Sequence, residues 1–120
     1  MDIGDEYTVG KNFVFGNNKM FGNNIKFGGN IKIGNNAKFG KNIPFGNNAE
    51  INSNANFGLN ITFCHSANIG SYTKFNNYVT FCRNAIINYN TIFAIDVFFN
   101  GIYNLGTNVI VNSYTNIPIC

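Results

Sequence analysis

The sequence predicts an all-β chain that forms one three-sided parallel β-solenoid over residues 1–120. Three observations lead to this prediction. Glycine recurs every six residues from Gly4 to Gly46 and again at Gly58, Gly70 and Gly106. A large apolar residue precedes each of these slots, and these residues sort into three columns when every third hexad is compared. A fixed short period along a whole chain is typical of repeat architectures, and 120 residues at 18 per coil give about 6.7 coils.

Each hexad is predicted to be a short strand followed by a turn. In the unit that begins Phe21-Gly22-Asn23-Asn24, the first residue (Phe21) and the fifth (Ile25) point inward. Lys26, the sixth, lies between two inward residues and therefore points outward, because side chains alternate along a strand. The fourth slot is asparagine in most hexads, which favours a corner, since asparagine tolerates the left-handed backbone conformation. The glycine in the second slot is expected to serve the same corner. Pro44 falls within a strand and is expected to forfeit one ladder hydrogen bond.

The large residues define a longer period of eighteen. Two of the three columns consist mainly of phenylalanine and the third mainly of isoleucine. They run Ile3, Phe21, Phe39, Phe57, Phe75, Phe93, Val111, then Val9, Phe27, Phe45, Phe63, Phe81, Phe99, Ile117, and finally Phe15, Ile33, Ile51, Ile69, Ile87, Leu105. Fifth-slot residues sort in the same way into an isoleucine and valine column and two columns of alanine and threonine. A repeating cross-section of large and small residues is what close packing requires.

This pattern resembles the hexapeptide-repeat superfamily. The family motif is an aliphatic residue, a small residue, two variable residues, a small apolar or hydroxyl residue and a further variable one, and the resemblance covers the whole chain. It implies a left-handed parallel β-helix with triangular coils. Phenylalanine in place of the usual aliphatic residue on two walls departs from the family pattern and implies a wider or differently packed interior.

The outward surface changes character along the chain. The first half carries lysines such as Lys26, Lys32 and Lys38, with a lapse near its start, where Lys19 takes an inward slot and Val14 and Met20 take outward ones. After Arg83 the only charged residue is Asp96. Exposed apolar residues in a row favour an interface, although bulges between residues 88 and 103 would turn some of them inward. The predicted interface residues are Ile86, Tyr89, Ile92, Ile95, Phe98, Ile102, Ile110, with Tyr114 at a further corner.

The ends of the repeat suggest head-to-tail stacking. The hexads run from residue 3 to residue 117 without a visible capping helix, and an uncapped coil offers unpaired backbone groups to another chain. If copies continued the repeat, Ile3 would stack over Leu105, Val9 over Val111, and Phe15 over Ile117. Fraying ends, ends covered by a partner, and a chain that is a fragment are the alternatives.

Catalytic and metal-binding chemistry has little support in the sequence. Many hexapeptide-repeat proteins are acyltransferases with a histidine base and acyl-CoA bound between subunits, so the resemblance makes His65 a weak catalytic candidate. His65 is the only histidine and is expected at an exposed corner, without the loop insertion that forms a substrate cleft in the family. The same single histidine argues against a zinc site, and no metal or cofactor is predicted. An ice-binding surface would need a regular outward threonine grid, whereas Thr8, Thr62 and Thr80 are scattered.

The three cysteines are not in metal-like spacing and favour a reducing compartment. Cys64 and Cys82 are eighteen residues apart and are predicted to stack in adjacent coils about 4.8 Å apart, within disulfide range. Free thiols are favoured for this pair, with a disulfide as the alternative. Cys120 is a candidate for cross-linking copies in an oxidising setting.

Composition limits the remaining partners. A net charge of +3 with 11% charged residues gives no basis for nucleic-acid binding. No apolar stretch of about 20 residues predicts a transmembrane helix, and the apolar region lacks the flanking basic residues that assist membrane-surface contact. No signal peptide is recognised at the start, which favours an intracellular location.

The predicted function is therefore a non-enzymatic structural scaffold that associates with itself, into filaments or another homo-oligomer. The alternative is a minimal hexapeptide-repeat acyltransferase, or a fragment of one, that is trimeric and uses acyl-CoA.

Overall fold

The computed structural model describes residues 2–111 and 114–116, and they form nineteen short β-strands in three parallel sheets. Sheet I contains β1 Thr8–Val9, β4 Lys26–Phe27, β7 Ile43–Phe45, β10 Ile61–Phe63, β13 Val79–Phe81, β16 Val97–Phe99 and β19 Tyr114–Asn116. Sheet II contains β2 Val14–Phe15, β5 Lys32–Ile33, β8 Glu50–Ile51, β11 Asn68–Ile69, β14 Ala85–Ile87 and β17 Tyr103–Leu105. Sheet III contains β3 Met20–Phe21, β6 Lys38–Phe39, β9 Asn56–Phe57, β12 Lys74–Phe75, β15 Ile92–Phe93 and β18 Ile110–Val111.

The strands confirm a three-sided coil of eighteen residues. Each strand pairs in parallel with the strand three further along the chain, as in Ile61↔Val79 and Phe63↔Phe81 of β10 and β13. The chain therefore winds through sheets I, II and III in turn and completes about six coils. The longest dimension of the molecule is 34 Å.

Two columns of stacked phenylalanine rings form the centre of the solenoid. In sheet I the rings of Phe27, Phe45, Phe63, Phe81 and Phe99 follow one another with centroids 4.6–5.4 Å apart and interplanar angles of at most 11°. In sheet III the run from Phe21 to Phe93 has centroid separations of 4.3–4.8 Å. The two columns meet edge to face, an arrangement that aromatic rings favour.

Small fifth-slot residues make room for these rings. Ala49, Ala67 and Ala85 lie in one column and Ala37 and Ala55 in another, all 0–1% exposed. Thr73 and Thr91 continue the second alanine column and are fully buried, with both hydroxyls directed at the carbonyl of Gly70. The predicted pairing of large and small residues is thus confirmed within the described coils.

The corners confirm the role of the fourth slot and correct that of glycine. Fourth-slot residues from Glu6 to Asp96 have φ between 55° and 65°, and most of them are asparagine. The described second-slot glycines lie outside the left-handed region, and the glycine with positive φ, Gly101 (φ 78°), occupies a third slot. At Gly46 a Cβ would lie 2.6 Å from backbone atoms of Gly28 and Gly29 in the preceding coil. Close approach of successive coils, and not turn conformation, therefore explains an interior glycine such as Gly46, whereas Asn52, Cys64 and other residues occupy the same slot further along the chain.

The period departs from eighteen in the last described coil. Strand β19 pairs Val97↔Tyr114 and Phe99↔Asn116, a spacing of seventeen residues. Tyr114 therefore lies in a strand, and its prediction as a corner residue is wrong. Asn116 occupies the position opposite Phe99 that the repeat predicted for Ile117, and Ile117 itself lies outside the described residues.

Pro44 causes a smaller, predicted defect. It lies in β7, and the register between β4 and β7 is confined to Phe27↔Phe45. Proline has no N–H to donate to the ladder, which accounts for the missing pair at this position.

Candidate functional site: the ends and outer surface of the solenoid

Asparagine side chains join successive coils at the corners. In the fourth slot, Nδ2 of Asn30 donates to Oδ1 of Asn12 at 3.0 Å, and Nδ2 of Asn48 donates to Oδ1 of Asn30 at 3.2 Å. In the third slot, Oδ1 of Asn17 accepts from the backbone N–H of Asn35 at 2.7 Å. Similar third-slot bonds involve Asp5, Asn23, Asn35, Asn47 and Asn77. The sequence analysis treated asparagine only as a corner residue and missed these ladders, although the recurrence of asparagine every eighteen residues was a usable signal.

The first coil, residues 2–19, ends in unpaired backbone groups. Between described coils the second-slot N–H donates to the preceding coil, as from Gly28 to the carbonyl of Val9 at 2.9 Å. The fourth-slot N–H donates to the following coil, as from Asn12 to the carbonyl of Gly29 at 2.8 Å. The second-slot N–H groups of Gly4, Gly10 and Gly16 therefore point away from the solenoid, and no described residue accepts from them. A Cβ added to any of these three glycines meets no atom within 4 Å.

Aromatic side chains cover the apolar centre of this first coil. The ring of Phe15 contacts Phe21 edge to face at 5.1 Å and Phe27 at 6.3 Å, so it lies across the ends of both phenylalanine columns. Phe13 stacks on Phe15 at 4.8 Å and is 44% exposed. Phe13 and Tyr7 occupy fifth slots and, with Ile3, Val9 and Phe15, line a cavity of about 80 Å³. Ile3, Val9 and Phe15, the three predicted end-stacking residues here, are consequently buried.

The opposite end is less well covered. Leu105 is 41% exposed and Val111 is half-buried, although both belong to the inward columns. Tyr103 stacks on Phe99 at 4.3 Å, in the same fifth-slot column that holds Phe13 at the other end. The strands β17 and β18 are the last of their sheets, so no described strand pairs with their outer edges.

The predicted interface residues are distributed around two successive coils. Six of the seven are exposed, namely Ile86, Tyr89, Ile92, Ile95, Ile102 and Ile110, while Phe98 is half-buried. Ile86 lies on sheet II, Ile92 and Ile110 on sheet III, and Phe98 on sheet I, with the others at the corners between them. The alternative, in which bulges turn some of these residues inward, does not hold for the six exposed ones, but the seven residues also do not form one continuous flank. Because consecutive hexads lie on consecutive faces, outward residues six positions apart lie on different sheets. The prediction of one apolar flank did not take this into account.

His65 and the cysteines cluster at the corner between sheets I and II. His65 is half-buried rather than exposed as predicted, and its Nδ1 atom is buried with no hydrogen-bond partner. Cys64 is a free thiol, whereas Cys82 is disulfide-bonded, so the two do not bond to each other. The prediction of two free thiols is therefore wrong for Cys82. Cys120 and the cross-link predicted for it lie outside the described residues.

Within residues 2–111 and 114–116, no three histidine, cysteine or acidic residues come together in a way that could hold a metal ion. The described part of the chain also lacks any helix that could cross a membrane. Lys26 on sheet I, Lys32 on sheet II and Lys38 on sheet III are exposed, as predicted, whereas Lys19, which occupies an inward slot, is half-buried.

Searches with this chain against protein-family models, curated proteins and solved structures find no match. The architecture that can be stated from the described residues is accordingly that of a three-sided parallel β-solenoid.

Proposed function

We propose that this chain is a non-enzymatic structural β-solenoid whose copies associate end to end, the first coil of one copy adding to the last coil of another. We also infer that it is a left-handed solenoid of the hexapeptide-repeat type. Support for that type comes from the eighteen-residue coil with a large inward first residue in each hexad and a small second residue in most hexads.

The observation that carries the proposal is the set of glycines in the first coil. In the interior, glycine removes a clash between successive backbones, as at Gly46. At Gly4, Gly10 and Gly16 no described atom requires glycine, yet all three slots have it. Their surface is therefore shaped for a further backbone to approach closely, as adjacent coils do.

The exposed hydrogen-bonding groups of the two ends are complementary. The first coil presents N–H groups in the second slot and carbonyls in the third slot. The last coil presents the matching groups, such as the first-slot carbonyl of Leu105 and the fourth-slot N–H of Asn108, which no described residue pairs. Contact between these ends would repeat the pairing that joins every other coil, and strand addition to an open edge is a common mode of association.

Side chains would continue across such a junction. Oδ1 of Asn12 and of Asn18 accept from the coil above, which leaves both Nδ2 groups available to a coil below. On the last coil, Leu105 and Val111 offer incompletely buried apolar surface to Ile3 and Val9. Tyr7 and Phe13 would have to turn outward at the junction, since interior coils have smaller residues in their slots.

Valine in the first-coil glycine slots tests the proposal. We expect purified chain to form filaments in electron micrographs and G4V/G10V/G16V to form none, because the added side chains occupy the space that the backbone of a further copy needs at the end of the solenoid. The circular dichroism spectrum and melting temperature should stay close to those of the parent, since no described residue other than the chain neighbours lies within 4 Å of the added Cβ atoms. T8V is the control, because it adds valine to the same coil on an outward-facing side chain.

Two results would count against end-to-end association. One is a parent chain that stays a single copy at every concentration. The other is a triple variant that keeps its fold and still forms filaments as long as those of T8V. A closed trimer that binds CoA would instead support the hexapeptide acyltransferase alternative.

A further inference from the structure

Sheet III and its two corners carry a group of exposed apolar residues near the last described coils. Four residues form it and are named here the isoleucine face: Tyr89, Ile92, Ile95 and Ile110, which are 50%, 41%, 48% and 51% exposed. Ile92 and Ile110 are register partners on adjacent strands β15 and β18. Tyr89 and Ile95 lie at the two corners that flank Ile92, so the four side chains are neighbours.

A depression lies on the same sheet, directly below Ile92. It has a volume of about 450 Å³ and is lined by outward Asn56, Lys74 and Ile92 and by the residues that follow them in the chain, which are Phe57, Phe75, Asn76, Phe93 and Ala94. These residues centre it on β12, one strand below β15. Ile110 projects from β18, one strand above β15. The strand of the projecting residue, β18, and the strand at the centre of the depression, β12, are therefore each about 4.8 Å from β15, on opposite sides of it.

We propose that a second copy of this chain docks on the isoleucine face. The twofold axis lies between the two facing sheets, parallel to β15, and passes between the Ile92 side chains of the two copies. A twofold rotation there places Ile110 of each copy over the depression of the other, and Ile92 against Ile92 of the partner subunit. The two sheets would face each other about 10 Å apart with the solenoids antiparallel, as in a packed pair of β-sheets. Such a contact is isologous, because each copy contributes the same surface. It uses a different surface from the end-to-end contact and does not depend on it.

The charges on sheet III are compatible with this arrangement. Lys74 is the only charged outward residue on β12, β15 and β18, and the rotation places it beside Ile110 of the partner subunit and not beside another lysine. Its aliphatic stem can cover that isoleucine while the ammonium group stays at the rim in water. Lys38 is two strands further down, on β6, and would lie beyond the end of the partner.

A second protein surface suits the isoleucine face better than lipid does. The outer edge of β18 carries exposed backbone groups immediately beside Ile110. Acyl chains offer those groups no hydrogen-bond partner, so burying this end in a bilayer would be costly. Docking from the side covers the isoleucine side chains and leaves the edge in water.

Sedimentation equilibrium on the G4V/G10V/G16V chain separates lateral docking from end-to-end association. The patch is small, and interfaces below about 1,200 Å² are typically weak, so concentrations should extend to about 1 mM. We expect a monomer–dimer equilibrium in this chain and at least a tenfold weaker dimer when I110K is added. I102K is the matched control, because Ile102 is 74% exposed at the corner opposite sheet III.

The position of the axis has its own test. I92K and I92E should each lose the dimer, and mixing them should restore a heterodimer, because a lysine then faces a glutamate across the axis. A chain that stays monomeric throughout the series, an I102K variant that loses the dimer as I110K does, or a mixture that remains monomeric would overturn the proposal. Binding to phosphatidylcholine vesicles that I110K abolishes, without any dimer, would assign the face to lipid and overturn it as well.

Discussion

The interior coils and the first coil follow the same hexad but place it in different surroundings. In the interior, a coil lies on each side, and a glycine such as Gly46 is in close contact with the backbone of the coil before it. In the first coil the glycines have open space below them, while Tyr7 and Phe13 lie in the slots that hold Ile25 and Ile31 in the next coil, and they line the cavity at the apolar end. The backbone of the first coil therefore has the same form as that of an interior coil, whereas its large fifth-slot side chains lie over the apolar end of the solenoid.

The largest difference is expected when phenylalanine is removed from the two regions. Phe63 is fully buried and stacks between Phe45 at 4.7 Å and Phe81 at 5.0 Å. F63A should lower the free energy of unfolding by about 4 kcal/mol, because a closely packed interior cannot collapse into the cavity. F15A should cost about 2 kcal/mol, since the partly exposed Phe13 beside it can move into the vacated space. Urea denaturation of both variants measures the difference, and equal losses would mean that Phe15 is as confined as an interior ring.

Glycine gives the next largest contrast. A Cβ on Gly46 would lie 2.6 Å from the backbone below, whereas one on Gly10 has no neighbour within 4 Å. G46V should destabilise the chain by about 3 kcal/mol and G10V by less than about 0.5 kcal/mol. The urea midpoints of the two variants, measured on a non-associating preparation, check this. A large loss in G10V would show that glycine in the first coil is required by the fold itself, which would remove the main support for end-to-end association.

The corner ladder gives the smallest effect. Asn30 donates to Asn12 and accepts from Asn48, whereas Asn12 makes only the bond above it. Glycine at either position keeps the positive φ, so N30G and N12G differ mainly in the number of ladder bonds lost. We expect N30G to be less stable than N12G by about 0.5–1 kcal/mol, the net value of one hydrogen bond. Thermal melting of the pair measures it, and no difference would mean that water replaces the exposed ladder without loss.

The interior of the fold could be predicted from the sequence because each inward slot has the same packing environment in every coil. Similar residues therefore recur in it every eighteen positions. The phenylalanine columns, the alanine column and the asparagine corners all lie where the eighteen-residue period places them. The exceptions arise where the repeat ends or packing is unusual. Asn116 replaces Ile117 opposite Phe99 because the last span is seventeen residues long, and the period offers no signal for a one-residue change.

The candidate sites were less predictable because they depend on which faces residues share and on individual burial. The seven predicted interface residues are mostly exposed, but their distribution over three sheets follows only from tracing outward slots around the coil. The buried Nδ1 of His65 and the disulfide-bonded state of Cys82 depend on side-chain surroundings that spacing does not encode. Whether the ends or the isoleucine face hold copies together stays a prediction.

The phenylalanine columns also constrain how such a chain can change length. Adding or removing eighteen residues keeps every ring above a ring and every alanine above an alanine. Adding or removing six would shift each later hexad by one face and place phenylalanines over the isoleucine column, with the small fifth-slot residues displaced as well. Related chains of different length are therefore expected to differ by whole coils, so the unit of insertion and deletion in this protein is three hexads and not one.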